Sequence, residues 1–236
     1  MRIAMIGAKC VPAAVAAGGG VERHVEELSK RLADRGHEVT IYVRSHYYPK
    51  RRKSWQGCEL VSLPTVRTKH LETFVHVLLS SCHALFRRYD VIHYHGVGPS
   101  TLAWIPRLFA PRSKVVVTFH SRDQFHEKWN VLARAYLAWG EWTAVRSPHR
   151  TIAVSHVIQQ FCRRMYGVET VYIPNGVEIP AEDIGTDRLD DLGLRPNGYF
   201  LGLGRLVPQK AFDLALEAYR GVLTDIEFAV AGAPSY

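Results

Sequence analysis

Short apolar runs of strand length alternate with amphipathic segments of helix length along most of this chain. The runs are RIAMIG, HEVTIYV, CELVSLP, DVIHYHG, SKVVVTFH, RTIAVS and ETVYIPNGV. Continuous apolar runs are typical of parallel strands that are buried on both faces. Their alternation with helices predicts an α/β fold with a Rossmann-like doubly wound parallel sheet. Ligands bind such sheets at the carboxyl ends of the strands, so the residues after each run are candidate site residues.

The pattern stops after residue 177 and starts again near residue 199. Residues 178–198 carry acidic residues, prolines and glycines without an apolar run, which predicts a linker with room for one short helix. A second pattern follows as YFLGLGR, FDLALEAYRGVL and IEFAVAG. One strand–helix–strand unit is too small to bury both faces of its sheet. We therefore predict an N-terminal domain over 1–177, a linker over 178–198 and an incomplete second Rossmann-like domain over 199–236.

The composition is that of a globular chain with a basic balance. Its 236 residues are 47% hydrophobic and carry a formal charge of +8, which favours an anionic partner. Nucleic acid is the weaker choice, because the cations are scattered and no recognition motif occurs. The four cysteines lie far apart without a CxxC pair, and no segment is long and apolar enough to span a bilayer. We expect a cytoplasmic location.

Three consecutive glycines, Gly18 to Gly20, precede the first predicted helix. Free N–H groups and the helix dipole at a helix N-terminus favour an anion, and glycine allows a phosphate to approach the backbone closely. The spacing differs from the GxGxxG motif of dinucleotide sites, so a flexible surface loop is an equal alternative.

Two predicted strands end in histidine, which places His95 and His120 at the carboxyl edge of the sheet. His93 shares a strand face with His95 because side chains alternate with a period of two. We predict a structural role for His93, bonded to a neighbouring backbone group, and a ligand contact for His120. No third ligand stands at a recognisable spacing, so we predict no metal site.

The first strand of the second pattern is followed by two cations, Arg205 and Lys210, in GRLVPQK. Two cations beyond a strand tip suit a diphosphate, whose negative charge grows as a nucleotide departs. Taken alone, they are better explained as solvated surface cations.

Six segments in series resemble glycosyltransferase family 4, a group of enzymes with the GT-B fold. They are GGGVERHVEELSKRLADRGHEVTIY, DVIHYHG, VVVTFHS, RTIAVS, YIPNGV and GRLVPQKAFDLALEA. Each segment is weak evidence, but their order and spacing extend over nearly the whole chain.

This resemblance implies a retaining hexosyltransferase that moves a sugar from a UDP- or GDP-linked donor to a glycan or lipid-linked acceptor, in cell-surface polysaccharide or glycoconjugate synthesis. It implies that Gly19 and Gly20 approach the donor phosphate, that His120 contacts the transferred sugar, and that Arg205 and Lys210 hold the diphosphate. No obligatory metal or other cofactor is implied, and His95 is expected beside the acceptor.

Two departures from the family pattern bear on activity. Ala211 stands where the family usually has a glycine after the lysine. The Glu–seven residues–Glu element that binds the donor is expected beyond Tyr236. We therefore expect the parent protein to be active and this chain alone to be impaired.

Two further segments are candidates for acceptor or membrane contact. FHSRDQFHEKW follows the strand that ends at His120, and we assign its Arg122, Asp123 and Gln124 to the acceptor. YYPKRRKSW mixes aromatic residues with four cations, which suits peripheral contact with the inner face of a membrane as well as it suits a solvated basic loop.

Two rival classes of protein are weighed against a transferase. A non-catalytic sugar- or phosphate-binding module, or a half-enzyme that needs a separate donor domain, is the main alternative. A Rossmann dehydrogenase is disfavoured, because it requires GxGxxG after the first strand and an acidic residue at the end of the second, where this chain has Val43, Arg44 and Ser45.

Overall fold

The computed structural model describes residues 1–16, 18–47, 52–68, 71–122, 131–178 and 185–232. It divides into two compact units, Met1–Gly176 and Val177–Tyr236. The strands are β1 (Arg2–Ile6), β2 (Glu38–Arg44), β3 (Ser54–Trp55), β4 (Cys58–Leu63), β5 (Val91–His95), β6 (Lys114–Phe119), β7 (Arg150–Ala153), β8 (Val171–Tyr172), β9 (Tyr199–Leu203) and β10 (Glu227–Ala231). The helices are α1 (Gly20–Asp34), α2 (Glu72–Leu85), α3 (Val97–Ser100), α4 (Trp104–Phe109), α5 (Val131–Arg146), α6 (His156–Tyr166), α7 (Asp187–Asp190) and α8 (Phe212–Arg220).

The first unit contains the predicted doubly wound sheet. Its strand order is β3-β4-β2-β1-β5-β6-β7-β8. Neighbouring strands pair in parallel except for β3 and β4, which form an antiparallel pair. From β1 the chain builds outward through β2 and β4, and then returns to β1 and builds in the other direction from β5. The switch point, where ligands bind in sheets of this kind, therefore lies at the carboxyl ends of β1 and β5.

Both faces of the sheet are buried at its centre, because side chains of β1, β2, β4 and β5 alternate between two hydrophobic cores. Ile3 and Met5 of β1 pack with Val25 of α1 on one face. Ala4 and Ile6 pack on the other face, in a core that includes residues of α2, α5 and α6. This two-sided burial explains the continuous apolar runs of the sequence.

Local signals placed some elements more accurately than others. Helix α6 begins after Ser155, whose Oγ accepts a hydrogen bond from Ile158 N at 3.2 Å, and it ends at the left-handed Gly167. The segment TLAWIPRLF is helical only from Trp104, because residues 101–103 form the turn that separates α3 from α4. Strand β3 was not predicted, because a two-residue strand has no periodicity to recognise.

The second unit is a small α/β arrangement. Strands β9 and β10 pair in parallel, and α8 connects them. Several apolar side chains of this sheet are exposed, among them Phe200, Leu201, Leu203 and Val230. The short helix α7 lies in the segment predicted as a linker. Across the described residues of both units, no helix is long and apolar enough to cross a membrane.

Candidate functional site

The carboxyl ends of β1 and β5 lie unusually close together. Gly7 follows β1 with φ of 125°, and a Cβ at this position would lie 2.6 Å from the carbonyl oxygen of His95. Only glycine combines this backbone conformation with so close an approach. Gly7 therefore allows the end of β1 to lie directly against the last residue of β5.

The glycine run forms the entry to α1, as predicted. Gly19 is the N-cap and Gly20 is the first helical residue. A Cβ at Gly18 would lie 2.6 Å from the carbonyl oxygen of Ala13, whereas a Cβ at Gly20 would meet nothing within 4 Å. Gly18 is therefore required by packing, while the space in front of Gly20 is open.

The carboxylate of Glu22 occupies part of the helix N-terminus. Its Oε2 accepts a hydrogen bond from Gly19 N at 2.8 Å, and its Oε1 accepts one from Lys9 N at 3.2 Å. A carboxylate in the first turn is favoured by the helix dipole and by the free N–H groups. The predicted phosphate contact of Gly19 thus has an internal competitor in this structure.

Four histidines line the sheet face that packs against α1. His93 and His95 of β5 have ring centroids 4.1 Å apart. His120, directly after β6, and His24 of α1 complete the group, with a centroid distance of 4.7 Å between these two rings. The period of two places His93 and His95 on the opposite face from Ile92 and Tyr94, whose side chains belong to the apolar core.

Burial differs among the four rings. His95 is 1% exposed and His93 is 6% exposed, whereas His24 and His120 are half-buried. His93 Nε2 lies 2.8 Å from Thr118 Oγ1, so its hydrogen-bond partner is a side chain and not the predicted backbone group. His95 is covered by the other rings, and His120 stays the histidine predicted to contact a ligand.

The four imidazoles are neutral at physiological pH, because burial makes the protonated form costly. Burial, with the neighbouring His24, lowers the pKa of His120 to about 3. Burial and neighbouring histidines lower the pKa of His93 to about 3 and hold the pKa of His95 well below its usual value. Burial also lowers the pKa of His24, against a hydrogen bond with the side chain of Asn175 that raises it. Neutral rings can exchange hydrogen bonds with hydroxyl groups or bind a metal through a lone pair.

Two residues at this site, one of the four histidines and its hydrogen-bond partner, were not assigned from the sequence. His24 lies in the first turns of α1, and Asn175 lies in the YIPNGV segment after β8. Their contact joins the amino end of α1 to the last loop of the first unit. The available signal was the position of His24 four residues after the last glycine of the run, which places it beside the predicted phosphate loop.

The predicted acceptor residues are only partly described. Arg122 lies with its guanidinium 3.7 Å from the ring centroid of Phe161, and its Nε is 3.8 Å from Oε1 of the fully buried Glu141. Glu141 also accepts a hydrogen bond from the Tyr166 hydroxyl at 3.3 Å. Asp123 and Gln124 lie outside the described residues. Contacts with core groups thus position Arg122, and its acceptor contact stays a prediction.

The predicted membrane segment is also partly outside the described residues, since 48–51 are not described. Arg52 and Lys53 are exposed, directly before β3.

The predicted diphosphate residues lie in the second unit. Both Arg205, after β9, and Lys210, at the end of a short 3-10 helix, are exposed. Ala211 then enters α8 with φ of 49° and ψ of 38°. This left-handed conformation suits glycine, the residue expected here from the resemblance.

Comparisons with solved structures define the fold. Sucrose-phosphate synthase from Thermosynechococcus elongatus matches 98% of this chain and 62% of its own, with a TM-score of 0.72 and 19% identity. Anabaena HepE in complex with UDP and glucose matches 100% of this chain and 62% of its own, with a TM-score of 0.68 and 18% identity. The chain thus spans 62% of the length of these proteins. No curated protein matches it significantly in amino-acid sequence.

The class defined by this sheet and these neighbours is the GT-B glycosyltransferase fold. The model of Glycosyltransferase Family 4 matches residues 18–179, which is more than half of the chain. The chain belongs to Glycosyltransferase Family 4, as the six sequence segments predicted. The matched range begins at the glycine run and includes the whole histidine cluster.

Proposed function

We propose that this chain acts in a retaining glycosyltransferase, which transfers a hexose from a UDP- or GDP-linked donor to a glycan or lipid-linked acceptor. The observation that carries the proposal is the match of the Glycosyltransferase Family 4 model to residues 18–179, which include the glycine run and the histidine cluster. The complex of Anabaena HepE with UDP and glucose supports a nucleotide-sugar donor. We place the reaction in polysaccharide or glycoconjugate synthesis, in the cytoplasm or at the inner face of the membrane.

Each candidate residue has a role that fits its surroundings. The open space in front of Gly20 admits a donor phosphate to the amino end of α1. His120 is neutral, so it contacts the transferred sugar through hydrogen bonds to hydroxyl groups. The exposed cations Arg205 and Lys210 bind the diphosphate and stabilise its growing negative charge. The phosphate binds at Gly20 and the following N–H groups, because Glu22 already accepts from Gly19.

In the proposed reaction the bond between the anomeric carbon and the diphosphate oxygen breaks, and a bond to the acceptor hydroxyl oxygen forms on the same face of the sugar. The acceptor proton passes to the departing phosphate oxygen. No step requires a metal ion or an organic cofactor, since the diphosphate charge is met by Arg205 and Lys210.

The test measures donor binding and turnover separately. Calorimetry with UDP and GDP determines whether the chain binds either nucleotide. Hydrolysis of UDP-glucose and GDP-mannose, followed by NMR of the released sugar, determines whether it transfers to water and with which anomeric configuration.

We expect binding of one nucleotide, weakened about 10-fold or more by Gly20→Val, because the added methyl groups fill the space left for the phosphate. We expect turnover by this chain alone to be slow, and we expect His120→Ala to lower it about 100-fold further, which corresponds to about 2.7 kcal/mol.

The matched control is His37→Gln. His37 lies directly before β2, at the amino end of the strand, whereas the site lies at the carboxyl ends of the strands. The variant should leave binding and turnover unchanged. Binding of neither nucleotide would contradict the donor proposal, and an inverted anomer would contradict retention. Nucleotide binding with no turnover at all, even with acceptors supplied, would instead support the alternative of a binding module or of a half-enzyme that needs a separate donor domain.

A further inference from the structure

We propose that His24, His95 and His120 form a binding site for a divalent transition-metal ion, with Zn²⁺ as the best match. One ligand atom from each of the three residues lies within 4.8 Å of the others. Zinc binds imidazole nitrogen readily, and three histidines with an open fourth position form a known zinc arrangement. The sequence pattern did not indicate this site, because His24 lies 71 and 96 positions before the other two residues (95 − 24 and 120 − 24).

The spacing of the rings is close to that of a tetrahedral site. The ring centroids are 5.4 Å apart for His24 and His95, 4.7 Å for His24 and His120, and 5.8 Å for His95 and His120. Nitrogens that bind one tetrahedral ion at about 2.0–2.1 Å are about 3.4 Å apart. The ligand atoms of the three rings lie within 4.8 Å of one another, so these atoms need to approach one another by at most about 1.4 Å. Because His24 and His120 are only half-buried, rotation of their side chains can supply this movement.

Each ring also presents a buried nitrogen without a hydrogen-bond partner among the described residues. These atoms are Nε2 of His24, Nδ1 of His95 and Nε2 of His120. A buried polar atom without a partner costs free energy, and such atoms are rare in folded proteins. Three of them in one cluster are accounted for together if a single ion accepts all three lone pairs.

The contacts around His95 favour the tautomer that this site requires. His95 Nε2 lies 3.4 Å from Sδ of Met5, in an apolar part of the sheet face. A proton on Nε2 is directed toward the sulfur, a weak acceptor, which leaves the lone pair of Nδ1 available. The second ring nitrogen of a metal-binding histidine usually donates to a carboxylate, a carbonyl or water, which sets the tautomer and the orientation of the ring, and the Met5 sulfur stands in that position here.

The donor set selects the class of ion. Mg²⁺ and Ca²⁺ prefer oxygen ligands, whereas three imidazoles suit Zn²⁺, Co²⁺, Ni²⁺ or Cu²⁺. Ion binding needs no sugar donor, so this proposal does not depend on the proposed function. The metal ion and the transferred sugar compete for His120, because an ion bound to this ring prevents it from contacting a sugar.

The first experiment titrates the tag-free chain with Zn²⁺ in competition with a chromophoric chelator. We expect one ion per chain. Replacing one of three ligands should weaken binding by more than the 10- to 100-fold typical of supporting residues, so we expect a loss of at least about 100-fold in His24→Gln and in His120→Gln. The control His37→Gln should bind as the unaltered chain does. Absence of binding, or equal affinity in all variants, would overturn the proposal.

The second experiment needs no variant and therefore does not depend on whether a substituted chain folds. X-ray absorption of the zinc-loaded chain should show nitrogen ligands at about 2.0–2.1 Å with the outer scattering of imidazole rings. Co²⁺ in the same site should give the intense visible bands of tetrahedral coordination. A shell of oxygen ligands alone, or the pale spectrum of octahedral Co²⁺, would contradict a three-histidine site. Circular dichroism of the two variants establishes that lost binding does not come from unfolding.

Discussion

At the scale of single residues, two residues of the same type can have different roles, one in packing and the other in a candidate ligand site. Gly18 is held by packing against Ala13, whereas Gly20 faces open space. His93 bonds to Thr118 inside the sheet, whereas His120 presents a nitrogen without a partner among the described residues. The residue type alone does not separate these roles, and the difference appears only when the neighbours of each side chain are known.

Replacing Arg122 distinguishes a structural role of this side chain from a ligand contact. Its guanidinium lies against the Phe161 ring and near the buried carboxylate of Glu141. We expect Arg122→Ala to lower the free energy of unfolding by about 1–3 kcal/mol, because a buried carboxylate loses a charged neighbour. Urea unfolding measures the change.

The double variant Arg122→Ala with Glu141→Gln is the control for this pair. A neutral amide needs no cation, so the double variant should be more stable than the sum of the two single changes implies. If the free energy of unfolding of Arg122→Ala stays within about 0.5 kcal/mol of that of the unaltered chain, the Arg122 side chain contributes little to stability. Its predicted acceptor contact would then become the better explanation.

At the scale of elements, helix ends carry much of the information that the sequence revealed. The Ser155 cap and the left-handed Gly167 bound α6 at both ends, and both residues are typical of these positions. The entry to α8 is different, because Ala211 adopts a left-handed conformation that alanine disfavours. The resemblance to the family indicated a glycine here, and the backbone explains the preference.

Ala211→Gly should therefore stabilise the second unit. A non-glycine residue in the left-handed region costs about 1–2 kcal/mol, and glycine loses about 0.5–1 kcal/mol of this gain through the greater freedom of the unfolded chain. We expect a net increase of about 0.5–1 kcal/mol in the stability of α8, measured by hydrogen exchange of its backbone amides.

The matched control for α8 is Ala215→Gly, in the interior of the same helix. This change should lower the stability by about 1 kcal/mol, since glycine is a poor residue in a helix. Shifts of the same sign in both variants would contradict the account of Ala211.

At the scale of the whole molecule, the first unit contains several histidines whose pKa values are lowered chiefly by burial. His93, His95 and His120 lie toward the carboxyl ends of β5 and β6, and burial lowers their pKa values. His76 of α2 is fully buried, and its pKa is lowered to about 4, chiefly by burial. In the unfolded chain these groups have ordinary pKa values near 6.5. The unfolded state therefore binds more protons than the folded state between about pH 6.5 and 4.

The stability of the first unit should fall as the pH falls through this window. Each such histidine contributes a slope of about 1.4 kcal/mol per pH unit, present between its folded and unfolded pKa values. Stability should be greatest above pH 6.5, where both states carry neutral rings. Urea unfolding between pH 7.5 and 4.5 measures the slope.

His76→Gln removes one of these groups at a distance from the histidine cluster. We expect the slope to decrease by about 1.4 kcal/mol per pH unit in this variant, whatever its stability at pH 7.5. A slope equal to that of the unaltered chain would mean that His76 binds its proton alike in both states.

By itself, the sequence determined most of the elements and their order, because burial on two faces and helix capping leave local patterns, whereas the two-residue strand β3 leaves none. It thereby determined the family, the sheet and the edge at which His95 and His120 lie. The tertiary structure alone decided which side chains meet there. His24 joins the cluster through the packing of α1 on the sheet, Glu22 of α1 accepts a hydrogen bond from Lys9 N, and Arg122 meets Glu141 of α5. These contacts join residues through the packing of whole elements, so no local period or spacing encodes them.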